Sequence, residues 1–210
     1  MGAGLIRSVG AGVVLALGAA VVPAHAAQKV VVAVDGTLCD LTKTLAAGAA
    51  SVTCLIPPGG DPHSYRLKPS DRSQIAKSDL VLHIGFGLTP SAKKLQSPGT
   101  VVAVGEVALP SYGGSDPHVW HDPANSAAMV RVISSSLSPV LAASDRAALQ
   151  QRTVRAVAVF QALQGWEAKQ FSGLPSTQRV LVTDHRTYSH LANRFGLVEI
   201  AMLDSHTTGG

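Results

Sequence analysis

Residues 29–34 read Lys-Val-Val-Val-Ala-Val, an apolar run with no alternation of polar and apolar positions. A strand of that kind is buried on both faces, and such strands belong to parallel sheets covered by helices. The next hundred residues repeat the arrangement. Residues 38–48 have helical spacing and stop at Gly48, and residues 51–56 form a second strand. Pro69-Ser70-Asp71, with Ser70 as the N-cap, opens a helix through Ile75 to Lys77. Residues 80–84 form the third strand; Gly85-Phe86-Gly87 leads into a helix through Leu95, and residues 101–104 form the fourth strand. Strands alternating with helices predict an α/β fold built on parallel, right-handed βα units.

A different pattern follows. Residues 124–137 are helical, and residues 144–171 carry one long helical pattern in which Leu149, Ala156, Phe160 and Leu163 fall on one stripe. At 1.5 Å per residue this helix spans roughly 40 Å, the length of a small lobe, so it reads as a rigid spine between two lobes. Gly165 is its weak point, and Gly173-Leu174-Pro175 ends it. A new unit begins there: strand 179–183, helix 186–195, then Gly196 and strand 197–201. The expected organisation is an N-terminal α/β lobe over 27–140, a linking helix over 141–175 and a partial C-terminal α/β lobe over 176–210. With only two strands in that second lobe, the edge at 197–203 is expected to stay open and to invite pairing with another chain.

Residues 1–26 read as a secretory signal peptide: Arg7, an apolar run from Val9 to Val22, and Ala24-His25-Ala26 as a small-x-small cleavage site. The run is too short and too rich in Gly and Ala for a membrane anchor, and no later stretch is apolar enough to span a bilayer. No cysteine adjoins the cleavage site to carry a lipid. The expectation is a soluble exported protein with no stable membrane insertion after cleavage. A formal charge of +4 arises from scattered Lys and Arg, and with export it excludes nucleic acid as a partner. Aromatic residues are only 4% of the chain, so Ala, Val and Leu must build the core. Cys39 and Cys54 are the only cysteines. In an oxidising compartment they form either a disulfide or two buried thiols, and they lie away from the histidine motifs below.

The chemistry sits in the loops. Asp61-Pro62-His63-Ser64-Tyr65 follows the second strand in a Pro/Gly-rich loop, and Asp116-Pro117-His118-Val119-Trp120-His121 repeats its first three residues 55 positions later. His185 ends the run Val180-Leu181-Val182-Thr183-Asp184. Each of His63, His118 and His185 stands between a strand or loop and the start of a helix. Ligands of open α/β sheets lie beyond the carboxyl ends of strands, so the three imidazoles are expected to converge on one cleft as a metal site. Imidazole suits zinc, copper, nickel and iron, whereas manganese and magnesium rely more on carboxylates, so zinc is favoured. His83 reads as a core residue, His190 falls on another helix face, and His206 as a surface group. Asp184 is poorly placed to orient His185, because neighbouring strand side chains point apart.

These motifs, with Pro69-Ser70-Asp71, Asp122-Pro123, Asn125 and Phe195-Gly196-Leu197, resemble those of the zinc/manganese ABC-transporter substrate-binding proteins, the cluster A-I metal-binding family. The resemblance covers the mature chain in order. It implies two α/β lobes joined by one rigid helix, with a metal held between them and handed to an inner-membrane ABC permease from the periplasm. His63 and His118 match the family's ligands from the first lobe, and His185 matches a third ligand that the family supplies as His in zinc proteins and Glu in manganese proteins. Zn²⁺ is thus the implied transported ligand, with Mn²⁺ as the alternative. The family's fourth ligand, an Asp deep in the second lobe, has no counterpart before Gly210. Three departures stand out. His121 replaces a usual Leu and is expected to face solvent, Arg66 replaces an acidic residue, and the histidine-rich loop of many zinc members is absent between Pro110 and Asp116.

Three imidazoles with an open coordination position also describe a zinc hydrolase, in which the metal activates water. The sequence offers no Glu beside a ligand and no oxyanion-stabilising loop. It therefore favours a binding protein over an enzyme, with a non-functional fragment as a further alternative. The expected state is a monomer with some self-association through the open lobe.

Overall fold

The computed structural model describes residues 1–2 and 28–203, so the expected signal peptide and His206 lie outside the described residues. Strand β1 (Val30–Ala33) pairs in parallel with β2 (Ser51–Cys54) on one side and β3 (Leu80–His83) on the other, and β4 (Thr100–Ala103) pairs with β3. The order is β2-β1-β3-β4. The unbroken valine run has a physical explanation in this position. Val31 and Ala33 face one helical layer, whereas Val32 and Val34 face the other, and all four are fully buried.

The first layer holds α1 (Gly36–Ala46), α4 (Pro123–Leu137) and the start of α5 (Arg146–Ser172), through Leu38, Leu45, Met129, Ile133, Leu137 and Leu149. The second is thinner, with α2 (Pro69–Ile75) contributing Ile75, and with Leu55, Ile56 and Ala92 packed nearby. Each fully buried Leu or Ile contributes about 1.5–3 kcal/mol relative to exposure. A disulfide joins Cys39 on α1 to Cys54 at the end of β2, which resolves the two alternatives for that pair.

Three local expectations need correction. Ser70 lies inside α2, and the helix start is held by Asp71, whose carboxylate accepts the Lys68 N–H at 2.8 Å while Pro69 occupies the first turn. After β3 there is only one helical turn, Pro90–Ala92. Gly85, Phe86 and Gly87 before it all have positive φ, which no right-handed helix accepts, so no helix can open before Leu88. His83 is half-buried and lines a cavity of about 550 Å³ with Phe86, Lys93 and Glu106 instead of closing a core. The short helix α3 (Val104–Ala108) supplies that Glu106.

Helix α5 is a continuous 27-residue helix, as its pattern predicts, and passes Gly165 unbroken. Its N-terminal half is anchored by buried Leu149, Thr153 and Val157, and Arg152 donates to the Leu45 carbonyl at the end of α1. The stripe does not continue to Leu163, which is 37% exposed, because the helix has by then left the first lobe. Its far end meets α6 (Ser189–Phe195) through Phe171 and Phe195, with ring centroids 5.2 Å apart. There β5 (Val180–Thr183) and β6 (Val198–Ala201) form a two-stranded parallel sheet. Val180 pairs with Val198 and Val182 with Ile200, and all four side chains are about half exposed or more.

Asp35 caps α1, its carboxylate accepting the Leu38 N–H at 3.0 Å. The residue is 4% exposed and its Oδ2 has no hydrogen-bond partner among the described residues, so burial pushes the carboxyl up to about 6. A carboxyl raised in the folded state adds stability below its unfolded value of about 3.9 and loses it as pH rises through 6. Serine keeps the cap without the charge. Between pH 4 and 7 the stability of Asp35→Ser is therefore expected to gain on the parent by roughly 2 kcal/mol, measured by denaturant unfolding at both pH values. A constant difference between variant and parent would contradict the buried charge.

Candidate metal centre

Each motif histidine is fixed by a neighbouring aspartate. In Asp-Pro-His the proline has no N–H and a fixed φ, which leaves the aspartate carboxylate to turn back onto the backbone N–H of the histidine. Asp61 Oδ1 accepts the His63 N–H at 2.9 Å, and Asp116 Oδ1 accepts the His118 N–H at 3.0 Å. Asp184 does the same for His185 at 2.8 Å without a proline between them. The repeated tripeptide is thus a repeated turn.

The three rings converge. Their centroids lie 4.9 Å (His63 to His118), 5.5 Å (His63 to His185) and 5.3 Å (His118 to His185) apart, a near-equilateral triangle. One ring nitrogen from each lies within 4.8 Å of the others, and Nε2 of His63 is 2.9 Å from Nε2 of His118. Two nitrogens bound tetrahedrally to zinc at about 2.0–2.1 Å would stand about 3.3 Å apart, so small ring rotations suffice to admit an ion. His118 is buried, while His63 and His185 are half-buried. His63 and His118 come from the first lobe and His185 from the loop after β5, so the cluster spans the cleft between the lobes.

The outer contacts differ among the three. Asp116, 2% exposed, also meets the His118 Nδ1 at 2.7 Å, which assigns that nitrogen the proton and leaves Nε2 for a metal. Burial alone would raise the Asp116 carboxyl, but hydrogen bonds from the His118 ring and backbone and from Ser189 outweigh it and hold the group well below the usual range. Asp184 does reach the His185 Nδ1, at 3.0 Å, contrary to the strand-based expectation. The chain has already left β5 at Thr183, so the alternation of a strand no longer applies.

His121 is half-buried rather than turned out to solvent. Its ring lies 4.1 Å from that of Tyr188, between the lobes, and burial lowers its pKa to about 4, which keeps it neutral. It stands outside the three-histidine cluster. His190 is buried on α6, with Nε2 donating to the Asp116 carbonyl at 3.0 Å. Glu199 is the residue that the sequence reading missed. From β6 it accepts the N–H groups of Thr187 and Tyr188 at 2.8 and 2.9 Å and the hydroxyls of Ser189 and Thr183, fixing the turn after His185. Its one signal is a lone carboxylate between the apolar residues Val198 and Ile200.

A family model for the periplasmic component A of the zinc-uptake complex matches residues 31–209. The chain belongs to this family. Among relatives of the zinc-uptake component, the manganese-binding lipoprotein MntA of Halalkalibacterium halodurans is 30% identical over 186 residues, covering 81% of this chain and 59% of that protein. The zinc-binding protein TroA of Treponema pallidum is 29% identical over 183 residues, covering 82% of this chain and 59% of TroA. The solved structure of TroA superposes with a TM-score of 0.80 at 26% identity, covering 87% of this chain and 69% of TroA. The iron-binding protein YfeA of Yersinia pestis is 29% identical over 192 residues, covering 85% of this chain and 60% of YfeA. The chain therefore spans about three-fifths of the length of these curated relatives, whose names carry three different metals.

Replacing a ligand removes a metal bond outright, whereas losing an outer contact costs 10- to 100-fold in affinity. His63→Ala and His118→Ala are each expected to weaken Zn²⁺ binding by more than about 100-fold, and His121→Ala by less than about 10-fold, in chelator competition. Equal losses at 118 and 121 would show that the wrong histidine of that pair has been chosen.

Proposed function

We propose that this chain is the periplasmic capture component of an ABC metal importer, binding Zn²⁺ in preference to Mn²⁺ through His63, His118 and His185 and passing it to an inner-membrane permease. The observation that carries the proposal is the convergence of one ring nitrogen from each of these residues within 4.8 Å. Donor chemistry supports zinc. The convergent atoms are imidazole nitrogens, which suit zinc better than manganese. The motif carboxylates Asp61, Asp116 and Asp184 each accept the backbone N–H of their histidine. These carboxylates position the histidines, which supports capture and release without chemistry.

The domain reading enters the same proposal: a lobe over 27–140, the linking helix over 141–175 and second-lobe residues over 176–210. Export fits the Cys39–Cys54 disulfide, since such bonds persist in oxidising compartments. Among the described residues no helix is long and apolar enough to cross a membrane.

Protons and metal compete for the same ring nitrogens, and histidine takes up protons near pH 6.5 as an order of magnitude. Zn²⁺ is expected to displace Mn²⁺ from the protein at equimolar concentrations near pH 7.5, with zinc affinity falling by at least about 10-fold toward pH 5. Competition dialysis with metal analysis reads both. Manganese retained against equimolar zinc would contradict the preference, and an affinity indifferent to pH would contradict imidazole ligation.

A further inference from the structure

The two Asp-Pro-His units share a turn but differ in what else their aspartates hold. Asp61 takes the Ser64 hydroxyl on its second oxygen, at 2.8 Å, and lies exposed at the cleft mouth. Asp116 is almost fully buried and reaches across to the second lobe. Its Oδ1 takes both the backbone N–H and the Nδ1 of His118, its Oδ2 takes the Ser189 N–H at 3.1 Å, and its carbonyl takes the His190 Nε2 at 3.0 Å. Ser189 and His190 open α6, the helix that follows the His185 loop.

The surroundings of Asp116 are built to hold it still. Its N–H donates to the Tyr112 hydroxyl at 3.1 Å, and that hydroxyl donates back to its carbonyl at 3.2 Å. The Tyr112 ring packs on His190 at 4.6 Å and edge-on against Phe86 at 5.3 Å. Phe86 has φ +50°, a conformation that costs about 1–3 kcal/mol in a bulky residue and persists only when its surroundings impose it. Glu106 imposes it by accepting the Phe86 N–H at 2.6 Å.

We propose that Asp116 is a positioning residue that couples ligation to lobe docking: one oxygen sets the His118 ring for the metal while the other anchors the start of α6. Metal bound at His118 and second-lobe order at residues 189–195 are thereby linked through one carboxylate, a link that Asp61 does not provide at His63. The inference rests on His118 being a metal ligand.

The test uses the whole chain, Zn²⁺ alone as the probe, and three readouts. These are affinity by chelator competition, the His118 tautomer in metal-free protein by long-range ¹H–¹⁵N correlation, and amide exchange at residues 189–195. Asp116→Ala is expected to lower affinity 10- to 100-fold, shift the His118 proton away from Nδ1 and speed exchange in α6. Asp116→Asn keeps an acceptor for His118 but sets an N–H₂ group against the Ser189 N–H, so it should restore the tautomer and leave exchange fast. Asp61→Ala should leave both the His118 tautomer and α6 exchange at parental values. A folded Asp116→Ala with the parental tautomer, or with parental exchange in α6, overturns the proposal. If His118→Ala leaves zinc affinity intact, the metal-site reading fails instead, and the tautomer and exchange measurements still decide whether Asp116 couples the two lobes.

Discussion

The parallel pairing of β1 with both β2 and β3 is the constraint from which the rest of the molecule follows. Parallel strands all point the same way, so the loops at their carboxyl ends gather on one side of the sheet. The loop after β2 carries His63, and the chain that leaves β4 returns through α3 to present His118 beside it. The pairing requires both faces of the central strands to be dry, a condition met by Val31 and Val32 on opposite sides. Loss of helical cover on either face would expose that valine run and disperse the loops that hold the histidines.

Aspartate carboxylates then convert loop position into ring position. Every candidate ligand has its backbone N–H tied to an aspartate, and His118 and His185 also have Nδ1 held by one. Rings so held lose little further freedom on meeting an ion, which is what a capture site needs. The lobes are joined by more than the long helix. Arg194 on α6 reaches Asp122 at the start of α4, at 2.8 Å, and Ser189 reaches Asp116. These contacts lie on the first-lobe segment that carries His118, so the cleft and the ligands share their supports.

Much of this was legible in the sequence because it depends on local rules. Short valine-rich strands between helices define the sheet, and the repeated Asp-Pro-His marks a turn whose geometry proline largely dictates. The long spine is legible because 27 residues with no proline and a single glycine, Gly165, leave few other options. What escaped depends on contacts between distant segments. His121 looked like a solvent-facing substitution because Tyr188, its ring partner, lies 67 positions away on the other lobe. Glu199 carries little local signal, since its partners Thr187, Tyr188 and Ser189 belong to a turn whose path no local pattern specifies. Asp184 reaches His185 for the opposite, local reason: β5 ends at Thr183, so strand alternation does not extend to the next residue.

The central claim is that three imidazoles from two lobes share one ion. X-ray absorption at the zinc edge, on protein loaded with one equivalent of Zn²⁺, tests it directly. The account predicts three imidazole nitrogens at about 2.0–2.1 Å, identified by the outer-shell scattering of their rings, with no sulfur in the first shell. A first shell with one imidazole or none, or with sulfur at about 2.3 Å, would contradict it.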